Sequence, residues 1–134
     1  MRTARYESEL TDCVKYYLNE KGYDSQKEEL QFFEYNIDIY CYNWKLNKTI
    51  SIELKVHNWK RAIDQVSFYS LCSDYVYIAM PEETIHRIDR TKLEPKGIGL
   101  ICVQKNGYCT ELIIPQISQE LRSNYKYDCI RSFL

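Results

Sequence analysis

Residues 36–42 and 49–56 each alternate apolar and polar side chains, and only six residues separate them. Ile37, Ile39 and Cys41 in the first stretch, with Ile50, Ile52, Leu54 and Val56 in the second, fall on one face of an extended chain. Asp38, Tyr40, Ser51, Glu53 and Lys55 fall on the other. Two extended segments joined this closely pair antiparallel. Symmetric closure of the loop over residues 43–48 sets Tyr42 against Thr49, Tyr40 against Ser51, and Asp38 against Glu53. Opposed side chains in such a pair have Cβ atoms roughly 4.5–5.5 Å apart, and like charges there destabilise a sheet. A divalent cation between the carboxylates removes that repulsion. The register therefore predicts a metal site, with Lys55 two residues further along the same face.

Composition narrows the setting. A chain of 134 residues fits one domain, and no apolar stretch approaches the roughly 20 residues that span a bilayer. The opening residues run into polar helical sequence with no signal-peptide apolar core, so the expected compartment is the cytoplasm and no membrane partner is expected. The six cysteines are scattered without a C-x-x-C, and the two histidines are too few for a mixed Cys/His zinc cluster. Buried, reduced thiols are the expectation, with Cys102 and Cys109 as the pair that a hairpin would bring face to face. The 18 basic and 19 acidic residues leave a net charge of −1, so any nucleic-acid contact must rest on a local patch. Most of the 13 tyrosines should fill half-buried sheet positions, with base stacking as the functional alternative.

The order of elements is legible along the chain. Residues 4–21 predict a helix, with Glu7, Leu10, Val14, Tyr17 and Leu18 on one stripe and Gly22 as its stop. Glu7 thereby falls among core-facing residues, where a carboxylate needs a partner unless the helix start leaves it near water. An extended stretch over residues 23–33 precedes the two alternating strands. Asn58 caps a second predicted helix over residues 59–72, on which Arg61, Gln65 and Tyr69 share a face at steps of four. The apolar run over residues 75–80 reads as a strand buried on both sides, parallel to its predecessor through a crossover. A helical turn over residues 82–89 follows. Residues 98–103 and 108–114, around Asn106-Gly107, then read as a hairpin, and a short helix closes the tail. The prediction is a single α/β domain over residues 1–134, an α-β-β-β-α-β core with a C-terminal β-hairpin extension and a mixed central sheet flanked by helices.

The ordered set Glu7, Asp38, Glu53-Leu54-Lys55, Gln65 and Tyr69 resembles the PD-(D/E)xK nuclease superfamily over roughly residues 5–80. Asp38 takes the place of the motif aspartate and Glu53-Leu54-Lys55 that of the (D/E)xK. Tyr6-Glu7-Ser8-Glu9-Leu10 looks like the first-helix element. Gln65 and Tyr69 match the Q-x-x-x-Y signature of RecB-type and related repair nucleases. Ile37 stands where the proline of the family name would be. The resemblance implies a restriction-endonuclease-like fold and a Mg2+-dependent deoxyribonuclease, with Mn2+ able to substitute. It implies Asp38, Glu53 and the backbone carbonyl of Leu54 as metal ligands, with Glu7 direct or through water. Lys55 would act on the attacking water and the charged transition state, with Gln65 and Tyr69 positioning Lys55 or the strand. Mg2+ suits such a set, since it takes few protein oxygens and keeps several waters. Lys60 and Arg61 are candidate phosphate contacts, or else an exposed helix face. His57 has no part in this scheme.

DNA is the expected substrate, and a small domain without a recognition module would take specificity from a homodimer, a partner protein or DNA shape. Repair, defence and mobile-element roles all fit. The alternative is a catalytically inactive nuclease-fold subunit acting in nucleic-acid binding or protein assembly. A third reading is an unrelated α/β protein in which Asp38, Glu53 and Lys55 form a surface salt-bridge network, contributing about 0–1 kcal/mol.

Overall fold

A computed structural model describes residues 6–134. The first helix starts later than the periodicity predicts: Glu7–Glu9 form a 3-10 turn, and α1 runs over Thr11–Glu20. The first two positions of the expected helix lie outside the described residues. Leu10, Val14 and Leu18 recur every four residues and are fully buried. Gly22 ends α1 at φ 93°, donating its N–H to the Asn19 carbonyl at 3.0 Å. A Cβ there would lie 2.8 Å from Nδ2 of Asn43, so both the left-handed turn and the close approach require glycine.

Three antiparallel-paired strands follow: β1 (Ser25–Phe32), β2 (Tyr35–Asn43) and β3 (Lys48–Leu54). The β2–β3 register is the one symmetric closure dictates, with Tyr42 against Thr49 and Tyr40 against Ser51. The last ladder pair is Ile39 with Ile52, so the ladder stops one step short of Asp38 and Glu53. A second irregularity lies at the same level on β1. Glu28 pairs Ile39 and Leu30 pairs Ile37, but Glu29 and Asp38 between them are unpaired, and Glu29 has φ 53°. No residue is inserted, yet the faces exchange. Gln26 and Glu28 reach α1, through the Lys15 carbonyl and the Lys15 ammonium, both at 2.8 Å. Leu30 and Phe32, of the same parity, pack on the opposite side. On β2, Ile39 and Cys41 join the core under α1, whereas Ile37 joins the other. The expected common face of Ile37, Ile39 and Cys41 is therefore broken at Asp38.

The chain then crosses over through α2 (Trp59–Tyr69) to β4 (Tyr75–Pro81), parallel to β3. Asn58 precedes α2 in the left-handed region, φ 58°, and its side chain makes no capping bond, contrary to the expected cap. Short 3-10 turns over Ile85–Arg87, Arg90–Lys92 and Glu94–Lys96 lead to β5 (Gly99–Val103), parallel to β4. β6 (Cys109–Ile113) then pairs antiparallel with β5. The six strands form one mixed sheet in chain order. Val103 faces Cys109 and Cys102 faces Thr110, so the two hairpin cysteines are not opposite, and all six cysteines are thiols. One core lies between the sheet and α1; the other lies between the sheet, α2 and α3 (Ser123–Ile130). Among the described residues no helix is long and apolar enough to cross a membrane.

α3 is held by a buried ion pair, Lys126 Nζ to Asp74 Oδ2 at 2.9 Å. The same carboxylate oxygen accepts from the Thr49 N–H at 2.8 Å and the Thr49 hydroxyl at 3.0 Å, and Lys126 also donates to the Asn47 carbonyl at 2.8 Å. One buried network thus ties the β2–β3 loop, the start of β4 and the C-terminal helix. Removing one partner strands the other, which costs about 3–5 kcal/mol. Lys126→Met should lose about that much in urea unfolding, and a loss below about 1 kcal/mol would show that Thr49 alone satisfies Asp74.

Candidate active site

The end of the β2–β3 ladder supplies the site. Where β2 leaves the pairing, the Leu54 N–H loses a backbone acceptor and donates instead to Oδ2 of Asp38 at 2.8 Å. The carboxylate of Asp38 is thereby fixed beside the residue that follows Glu53. Glu53 is 3% exposed, because it projects toward α2 from a strand covered on both faces. Its Oε1 lies 3.5 Å from the Tyr69 hydroxyl and its Oε2 lies 3.6 Å from Lys55 Nζ. The Tyr69 hydroxyl also points at the Asn36 carbonyl, at 3.3 Å. All of these contacts are long for a group so deeply buried, and none satisfies the Glu53 carboxylate fully. Lys55 is anchored through its backbone N–H, which donates to the Ala79 carbonyl at 3.0 Å.

The electrostatics follow from this crowding. Burial pushes the Asp38 carboxyl up to about 6; the charges of Glu29 and Glu7 add to the rise, while the Leu54 N–H and Lys55 oppose it. Burial and the neighbouring Asp38 charge push Glu53 up to about 8, against the pull of Lys55. Burial, followed by the charges of Glu53 and Asp38, raises Tyr69, which stays a phenol donor. Two carboxyls resisting ionisation side by side favour any cation that can sit with them.

Asp38, Glu53, Lys55 and Tyr69 are thus brought together. Gln65 lies one turn before Tyr69 on α2 and lines a cavity of about 620 Å³ with Lys55, Asn58, Trp59, Lys60 and Arg61. Its Oε1 is buried without a hydrogen-bond partner, an orphan acceptor on a residue that also lines this cavity. Lys60 and Arg61 are exposed at the mouth of this cavity. Glu7 departs from expectation: it sits on the exposed 3-10 turn before α1, not on the core stripe of a helix. The α-helix begins only at Thr11, so the helical phase linking Glu7 to Leu10 and Val14 does not apply. Its charge still acts on both Asp38 and Glu53. His57 Nδ1 meets the Arg87 guanidinium at 3.2 Å.

Glu29 is the neighbour that sequence reasoning missed. By register it stands opposite Asp38 on β1, at φ 53°, as Glu53 stands opposite on β3. The sequence carried no signal for it, since Lys27-Glu28-Glu29 reads as an ordinary solvated run. Among the described residues no group of three or more His, Cys, Asp or Glu is close enough to cage an ion. Two carboxylates with the Leu54 carbonyl fit Mg2+, which keeps most of its waters, and do not fit a structural Ca2+ or Zn2+ cage.

The fold is shared with a solved protein of unknown function from Silicibacter pomeroyi, at TM-score 0.70 and 20% identity over 92% of this chain and 80% of that chain. Pyrococcus furiosus SfsA, solved in complex with Ca2+, overlaps more loosely, at TM-score 0.44 and 12% identity over 87% of this chain and 64% of that chain. No family model and no curated protein matches the chain.

A carboxyl whose folded value lies above its unfolded one stabilises the fold at low pH and loses that contribution as pH rises through the folded value. For Glu53 the window runs from its ordinary 4.5 to about 8. Glu53→Gln removes the cost of ionisation. In chelator its melting temperature should exceed wild type by about 3 °C or more near pH 8.5, and the gap should close near pH 4.5. Parallel melting curves across that range would show Glu53 to be already relaxed.

Proposed function

We propose that the chain is a metal-dependent nuclease that hydrolyses DNA phosphodiester bonds, built as a single restriction-endonuclease-like domain of the PD-(D/E)xK kind. The observation that carries this reading is the junction of Asp38 and Glu53 at the open end of the β2–β3 ladder, with Lys55 3.6 Å from Glu53. A surface salt-bridge network would leave these groups exposed and ordinary in their acidity. Instead one carboxyl is almost fully buried and both are pushed up.

Asp38, Glu53 and the Leu54 carbonyl would hold Mg2+, with Glu7 or Glu29 reaching it through water. When bound, such an ion acidifies a water and offsets charge growing on the phosphate. Lys55, whose side chain is 17% exposed, would donate from Nζ to the attacking water or a phosphate oxygen. Tyr69 donates toward Glu53 and restrains its carboxylate. Gln65 offers its free oxygen to the Lys55 ammonium or to a water beside it, which fixes the direction of that donor. Lys60 and Arg61 take the phosphate next to the scissile one, a local basic patch on a chain of net charge −1. Specificity would come from a second copy, a partner protein or DNA structure, in a repair, defence or mobile-element role.

The second reading keeps the scaffold and drops the chemistry: a nucleic-acid-binding or assembly subunit. The near-neutral charge and the absence of a three-donor cluster among the described residues favour it. Calorimetric titration with Mn2+ should find a site that Asp38→Ala and Glu53→Ala each remove. Plasmid, single-stranded and branched DNA with Mg2+ should be cut by wild type. Lys55→Ala should cut them at least about a hundred-fold more slowly while still binding Mn2+. Binding of DNA without cleavage of any substrate would establish the second reading.

A further inference from the structure

The turn between β1 and β2 holds Phe33 in an uneconomical position. Phe32 pairs with Tyr35, so Phe33 and Glu34 alone make the turn, and Phe33 has φ 56°. Glycine suits such a position, and a bulky residue is strained there. Burial does not compensate, since Phe33 remains 55% exposed. The ring is nevertheless held in place. It meets Phe32, Phe68 and Tyr125 edge-on, with centroids at 4.9, 5.7 and 5.4 Å.

From Phe33 a chain of rings leads to the carboxylates. Phe68 lies 5.3 Å from Tyr35, and Tyr35 lies 6.3 Å from Tyr69, whose hydroxyl is 3.5 Å from Glu53. The basic cavity of Lys55, Lys60 and Arg61 lies toward the start of α2. Arg61 and Phe68 are two helical turns apart on α2, about 10 Å along its axis. A polymer crossing Glu53 would therefore meet cations on one side and aromatic rings on the other.

We infer that Phe33 and Tyr35 form a stacking platform for unpaired nucleobases, so that the strand drawn across the site is single-stranded. The inference rests on the proposal that nucleic acid occupies the site and assigns its substrate class. A base-paired duplex hides the faces of its bases, whereas an unpaired strand offers a π-face with every nucleotide. Rings already locked by their neighbours lose little freedom on binding. Glu34 precedes Tyr35 on the exposed turn, and Asp128 borders the groove beside Phe33 and Tyr125. Asp128 is paired with Arg131, so the Glu34 carboxylate is the group that repels phosphates there and leaves the platform to bases. On a chain of net charge −1, stacking adds to what the basic cavity of Lys55, Lys60 and Arg61 contributes to holding a strand.

Fluorescence anisotropy in chelator, with a labelled oligothymidylate of about 12 nucleotides and a duplex of equal length, reads this directly and apart from cleavage. Wild type should bind the single strand more tightly than the duplex. Phe33→Gly, whose backbone suits the turn, should weaken single-strand binding about ten-fold and leave duplex binding within about two-fold, while unfolding as cooperatively as wild type. Phe33→Tyr should restore the affinity, and Phe33→Asn, also compatible with the turn, should behave as Phe33→Gly. Equal single-strand affinity in wild type, Phe33→Gly and Phe33→Asn would overturn the inference, as would failure of wild type to bind the oligonucleotide. Phe33-dependent binding without cleavage under Mg2+ would leave the platform standing and remove the nuclease reading. Cleavage with Phe33-independent binding would do the reverse.

Discussion

One hydrogen bond organises the end of the sheet that holds the candidate site: the Leu54 N–H given to the Asp38 carboxylate at 2.8 Å. A buried backbone donator left without an acceptor costs about as much as a lost hydrogen bond, so β2 cannot leave the ladder unless something replaces its carbonyl. Asp38 provides that replacement with a charged oxygen. This lets the strands part while keeping the carboxylate next to Glu53. The strands part at the point where the chain turns into Lys55 and α2.

The price of that opening is borne by Glu53. Held at 3% exposure with only long contacts to Tyr69 and Lys55, it keeps its proton to about pH 8. A fold selected for stability alone would place an apolar residue there, as it does at Ile52 and Leu54 on either side. Lys55 offsets the charge only in part, because its ammonium is 3.6 Å away and reaches solvent. On the metal-site proposal, a cation would displace the Glu53 proton, which would couple metal affinity to pH.

Much of this was legible in the chain. Period-two alternation around a six-residue gap gave the register, since Tyr42 with Thr49 and Tyr40 with Ser51 leave no other closure that buries both apolar faces. The Gln65 and Tyr69 spacing placed both on the face of α2 that meets the site. The exchange of faces at Glu29 and Asp38 was not legible, because its cause is a left-handed glutamate and no glycine or proline marks it. The sequence pattern puts Glu7 on a helical stripe because 3-10 and α geometry share a signature over one turn, and only the backbone settles the phase. Asn58 looked like a cap because caps and left-handed residues draw on the same short polar side chains.

The distribution of strain separates ordinary from costly irregularity. Among the described residues, four other than glycine have positive φ: Glu29, Phe33, Asn47 and Asn58. The asparagines tolerate that region readily. Glu29 and Phe33 do not, and each costs on the order of 1–3 kcal/mol. Both belong to the β1–β2 hairpin, one level with Asp38 and the other at the tip beside Tyr35. The opposite end of the sheet, where Lys126, Asp74 and Thr49 satisfy one another, carries no comparable expense. Among the described residues, the costly backbone strain therefore falls on the hairpin that supplies Asp38, and local preference yields there to the arrangement around that carboxylate.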